Sequence, residues 1–214
     1  TSTAAPRPPR RIGLHVLLFA GCVLTLVPFI WTILASFKTH AEIINPTNQS
    51  FFPRDFTTQN YETIFNDTSL PLARIYLNSL FVAITNVLTQ TFTSALFGYV
   101  FAKFNFRYKR ALFWYIIGTM MIPFQLTMIP SYLILLKFDL TNNLLGLVAL
   151  SWFSAFGIFL MRQFMSSIPD ELLDAARVDG ANEWQIFLRI VLPQTGAVLA
   201  TYGVLVFISN WNSY

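Results

Sequence analysis

Charge is what this chain has least of. Asp, Glu, Lys and Arg make up 11% of its 214 residues, whereas about a quarter is usual in soluble domains. That shortage argues against a water-filled surface on every side. Cysteine is nearly absent too: Cys22 stands alone, so no internal disulfide can form, and its place in an apolar run suggests a buried, inert thiol. His15 and His40 are isolated, without partners at metal-ligand spacing. No Ser-His-Asp or Cys-His set can be assembled, so no catalytic residue, metal site or cofactor is expected. No glycine precedes a lysine, which removes the GxxxxGK[ST] loop that cradles nucleotide phosphates. None of the ten acids lies well inside an apolar run. Carriers driven by protons need ionisable groups at membrane depth, so a self-powered carrier is disfavoured. Asn48-Gln49-Ser50 and Asn66-Asp67-Thr68 match glycosylation acceptors, but the pattern is too short to carry weight.

What the chain has instead is apolar length. Hydrophobic residues make up 55%, with 22 Phe. Five runs, about 13–36, 75–102, 111–136, 144–164 and 194–212, reach the roughly 20 residues that a helix needs to cross a bilayer. Strands are far shorter, so the expected fold class is all-α, a polytopic transmembrane helical bundle. Residues 1–12 read as a basic tail and 13–214 as one membrane domain without internal repeats. The longest polar connection, 37–74, includes a short helix expected over Asn60–Phe65. The first run is too long for a cleaved signal peptide. The +4 net charge comes mainly from cations flanking the runs and gives no reason to expect nucleic acid. With the N-terminus inside, ten of the 14 cations fall on the inner side, and Lys38, Arg54, Arg74 and Lys137 on the outer. That bias predicts a cytoplasmic N-terminus and a cytoplasmic loop at about 165–193.

Five of the ten acids (Asp170, Glu171, Asp174, Asp179 and Glu183) gather in that loop. Pro169 and the acids after it suit a helix start. Leu172, Leu173, Ala175, Ala176 and Val178 give the helix a small apolar side. Gly180 suits its end. Asn182 and Gln185 have the spacing of a capping box for a second short helix, and Pro193 marks the return to the bilayer. The predicted unit is helix, tight turn, helix, offered to a partner.

The second run is unusually polar. Asn86, Thr89 or Gln90, and Thr93 recur at helical spacing and share a face. Two readings stay open: interhelical hydrogen bonding, or the wall of a solute path. In the third run Pro123 and Pro130 bracket Gln125 and Thr127, and the freed carbonyls need partners, so Gln125 joins the candidate solute-path residues.

The spacing Asp174-Ala175-Ala176, Gly180, then Ile190-Val191-Leu192-Pro193 resembles the cytoplasmic loop of bacterial ATP-binding-cassette importer permeases. Ile168 to Ala181 is similar to the version in carbohydrate permeases of the maltose-transporter type. Ser36-Phe37-Lys38, Asn60-Tyr61, Asn78-Ser79-Leu80 and Ile122-Pro123 extend the likeness over nearly the whole chain. One departure is Asp174, where the family usually has Glu. The resemblance implies a multi-pass permease subunit in the cytoplasmic membrane of a bacterium or archaeon, carrying a sugar or oligosaccharide. Glycerol phosphate, amino acids or polyamines are alternative solutes; a passive channel or a membrane scaffold are the rival classes. Implied partners are a second, similar permease, two ATP-binding subunits, an extracytoplasmic solute-binding protein and the lipid bilayer. Glu171, Leu172, Leu173, Asp174, Ala175, Ala176, Asp179, Gly180 and Pro193 would form the ATPase-coupling loop. A sixth span, usual in these permeases, is expected beyond the five.

Overall fold

The computed structural model describes residues 12–45, 50–67 and 69–213. The basic tail through Arg11, Pro46, the Asn48-Gln49 pair, Thr68 and Tyr214 lie outside the described residues. All regular structure among the described residues is helical. The chain divides into two compact units, one ending at Leu72 and one starting at Ala73.

In the first unit, α1 (Ile12–Ser36) is a single 25-residue helix, about 37 Å long at 1.5 Å per residue and so long enough for a bilayer. Cys22 on this helix is exposed, which corrects the expected burial. Past α1 come two short helices, α2 (His40–Ile44) and α3 (Gln59–Asn66). Two sequence motifs meet here. Asn60 Nδ2 donates to the carbonyls of Ser36 (2.9 Å) and Lys38 (2.8 Å). The Tyr61 hydroxyl lies 2.6 Å from Ser36 Oγ, and Phe37 stacks on Phe56 at 4.8 Å. Lys38 is buried; its ammonium donates to the Ser50 carbonyl and pairs with Glu42 at 3.8 Å. A buried cation needs such partners, and they fix the loop to the end of α1.

The second unit is built on α4 (Leu72–Lys103), 32 residues long. It is followed by α5 (Lys109–Thr119), α6 (Phe124–Lys137), α7 (Leu144–Ala149) and α8 (Ala155–Met165). The third apolar run is therefore broken: α5 and α6 are bent by 96°. Pro123 explains the break, because it has no N–H and pushes the residue before it out of the helical region. The fourth run is two short helices rather than one. Ser154 caps α8 by accepting from the Gly157 N–H at 3.1 Å, and Thr93 of α4 donates to the exposed Trp152 carbonyl at 2.6 Å. Among the described residues two helices are long and apolar enough to cross a membrane, or up to four spans if each bent pair counts as one, short of the five runs expected.

The chain ends in α9 (Asp170–Val178), α10 (Glu183–Ile186), a π-helical turn (Phe187–Val191), α11 (Leu192–Gln194) and α12 (Gly196–Trp211). The core joins α4, α8 and α12 through Ala95, Tyr99, Met161, Met165, Tyr202 and Val206. Gly98 lets α8 approach α4, since a Cβ there would collide with the Met161 side chain. The same core continues into Leu173, Ile186, Phe187 and Val191. The acid-rich loop is thus packed onto the helices rather than hanging from them.

Candidate functional site

The loop folds as its sequence dictates. Asp170 and Glu171 occupy the first turn of α9 and Arg177 the last, each matching the helix dipole. Gly180 adopts φ +85°, with nothing within 4 Å of where a side chain would start. The requirement for glycine is therefore conformational, not steric crowding. Asn182 and Gln185 form the capping box, with both bonds at 2.9 Å. At the far end the Leu192 N–H reaches Phe187 O through the wide π turn, just before Pro193, which offers no N–H at all. A bend of 77° at Thr195 then separates Glu183–Gln194 from Gly196–Trp211.

Burial sorts the residues expected in the loop into two faces. Leu173 is 1% exposed and belongs to this chain's own core with Ile186 and Phe187; it is no surface residue. Ala176 is half-buried against that core. Glu171, Leu172, Asp174, Ala175, Asp179, Gly180 and Pro193 are exposed. On the outer side, Leu172 (43%), Val178 (88%) and Trp184 (56%) present apolar surface to solvent. Trp184 was not singled out from the sequence, although a tryptophan between the two residues of a capping box is a signal in its own right.

Charged bonds brace this unit. The Arg177 guanidinium donates to Asp174 (2.6 Å) and Glu183 (2.8 Å), which holds α9 against α10. Tyr99 of α4 donates to the same Glu183 at 2.8 Å. Lys103, at the end of α4, pairs with Asp170 at 2.6 Å. Its hydrogen bond, then its charge, hold the Asp170 carboxyl below the usual carboxylate range. Hydrogen bonds from Arg177 to Glu183 and Asp174 raise the Arg177 pKa. The Asp174 carboxylate already has a partner within this chain.

A second constellation lies on α4. Asn86 is fully buried and donates to Asn210 Oδ1 of α12 at 2.6 Å, while its own Oδ1 has no donor. Gln90 accepts from the Tyr202 hydroxyl at 3.3 Å. Thr89 turns back to the Thr85 carbonyl at 2.8 Å, and Thr93 holds the break before α8. Packing therefore uses much of this face. Beside it is a cavity of about 270 Å³ lined by Gln90, Ser154, Phe156, Tyr202, Ser209 and Asn210 among others. Of the candidate solute-path residues only Gln90 lines it; Asn86, Thr89, Thr93 and Gln125 do not, and Gln125 is exposed on α6.

Residues 94–214 match the family described as "Binding-protein-dependent transport system inner membrane component". The chain is 33% identical over 191 residues to a probable ABC transporter permease protein of Pyrococcus horikoshii, covering 88% of this chain and 69% of that protein. It is 33% identical over 213 residues to the lactose transport system permease protein of Rhizobium radiobacter, with 100% and 76% covered. It is 30% identical over 213 residues to the sn-glycerol-3-phosphate transport system permease protein of Agrobacterium fabrum, with 97% and 75% covered. The matched region takes in the core, the braced loop and the bent last helix, and the chain belongs to the binding-protein-dependent inner membrane components, the permease subunits of ABC importers.

Proposed function

We propose that this permease subunit imports a sugar or oligosaccharide, and that residues 170–186 dock onto a separate ATP-binding subunit. The observation that carries the docking reading is the two-faced loop. Leu173, Ile186 and Phe187 join it to the α4–α8–α12 core, while Leu172, Val178 and Trp184 leave apolar surface uncovered. A rigid unit with such a face can transmit a push from a partner into the membrane helices. Two ATP-binding subunits, a second permease and an extracytoplasmic solute-binding protein complete the proposed assembly. The N-terminus and the loop lie on the cytoplasmic side, in line with the bias of cations.

Two of the named relatives are permeases of lactose and sn-glycerol-3-phosphate transport systems, and an arabinooligosaccharides permease of Halalkalibacterium halodurans is 30% identical. The α4–α12 cavity favours a neutral solute. Its lining includes amides, hydroxyls and the rings of Phe156 and Tyr202, but no lysine or arginine. Phosphate recognition normally calls on such cations, whereas sugar hydroxyls match amide and hydroxyl partners. Asn86, buried and with an acceptor left over, does not line the cavity itself but bonds Asn210, which does.

The test is uptake by the reconstituted transporter with its binding protein. Radiolabelled oligosaccharide is expected to accumulate only with ATP inside the vesicles, and sn-glycerol-3-phosphate is not expected to compete. Flux without nucleotide would support a passive channel, and competition by glycerol phosphate would move the solute assignment to a phosphorylated polyol.

A further inference from the structure

Beside the turn between α4 and α5 lies a second, chemically different cavity of about 610 Å³, open to the surface. Tyr108 turns the chain there with φ +66°. Three cations line the space: Lys109 and Arg110 from the start of α5, and Arg162 from the last turn of α8. The Arg162 guanidinium lies 4.1 Å from the Phe113 ring centroid, and its Nε donates to the Phe101 carbonyl at 3.2 Å. Lys109 is half-buried and reaches the Ala102 carbonyl at 3.4 Å. Among the described residues no ion pair neutralises any of the three. The nearby acid, Asp170, is taken by Lys103. Like charges gathered in a partly desolvated pocket repel one another. An anion in the pocket would relieve that repulsion.

The surroundings say which kind of anion. Trp114 lines the cavity and is 62% exposed, and Leu112 and Tyr115 beside it on α5 are exposed as well. Tryptophan and tyrosine collect where hydrocarbon meets headgroups. The pocket therefore combines three cations with aromatic lining, and it adjoins exposed apolar residues of α5. A free phosphate would use only the cations. A phospholipid would use both, with acyl chains laid along the apolar face of α5.

We propose that this cavity binds the phosphodiester headgroup of an anionic phospholipid. The inference does not depend on which solute is carried.

The test uses the whole transporter, purified with all its subunits and titrated with phosphatidylglycerol while retained lipid is counted by native mass spectrometry. The double variant Lys109→Gln/Arg110→Gln spares Arg162, whose stacking on Phe113 is structural. It should lose about an order of magnitude in apparent affinity, as expected for two cations facing an anionic lipid. Lys137→Gln, an exposed cation outside the cavity, should leave retention unchanged. Phosphatidylcholine and inorganic phosphate should fail to displace the bound lipid. Equal retention by the double variant and the parent would overturn the proposal. Full displacement by inorganic phosphate at matched concentration would overturn it too, by marking a free-anion site.

Discussion

At the scale of single residues, neighbours in sequence have opposite work. Leu172 and Leu173 are indistinguishable by composition, yet one is exposed and the other is 1% exposed. An acid at Leu173 must be buried without a partner, which costs several kcal/mol, and Leu173→Glu should lower the amount of folded permease in the membrane. Val178→Glu places the same charge on a site that is 88% exposed. That permease should fold normally but lose its ATP-binding subunits on purification. Equal folding yields for the two variants would contradict the assignment of faces. Gly180 makes a separate point. With open space around it and φ at +85°, it is replaceable only by residues that tolerate the left-handed region. Gly180→Val should be strained by roughly 1–3 kcal/mol and lose most ATP-driven uptake, whereas Gly180→Asn should retain much of it. Identical uptake by both variants would show that the turn does not set the angle between α9 and α10.

Among the elements, α4 couples the two candidate regions. Its Asn86 and Gln90 meet α12, and its Tyr99 and Lys103 meet the loop. Gln90→Leu should weaken uptake about three- to tenfold, the worth of one neutral hydrogen bond, without loss of ATPase subunits, whereas Gln125→Leu should be silent. The reverse result would move the solute path to α6. The Lys103–Asp170 tie has a defined pH range. The folded Asp170 pKa lies below its ordinary value, so the contribution is complete above that ordinary value and fades only as pH falls through the lowered one. The uptake deficit of Lys103→Gln relative to the parent should stay constant between about pH 5 and 8. A deficit that shrinks toward pH 5 would mean that Asp170 titrates there. Much of this element structure was legible in advance. The capping box and the turn at Gly180 are local signals, and local signals survive in a sequence, whereas the run holding Pro123 reads as one span and is broken in the structure. The face chosen by Leu173, the break before α8 that Thr93 satisfies, and the closure of Asn60 onto Ser36 depend on partners distant in the chain. Helical periodicity contains no record of such contacts. Cys22 shows the same limit: an apolar neighbourhood indicates the solvent, hydrocarbon or water, but not whether protein covers the thiol.

For the whole molecule, the proposed function has a polytopic helical permease take its drive from a separate ATP-binding subunit. Cysteines at Thr58 and Asn182 should fall on opposite sides of the membrane, the first reacting with an impermeant thiol reagent in intact cells and the second only after opening. The reverse labelling would take the loop away from nucleotide. The most direct measurement is contact itself. A photo-crosslinking amino acid placed at Val178 in the assembled transporter should form an adduct with the ATP-binding subunit, with a yield that changes when nucleotide is added, while the same group at exposed Phe65 should not. Absence of any ATP-binding-subunit adduct from position 178, in a complex that still transports, would contradict the claim that this loop is where the permease receives its drive.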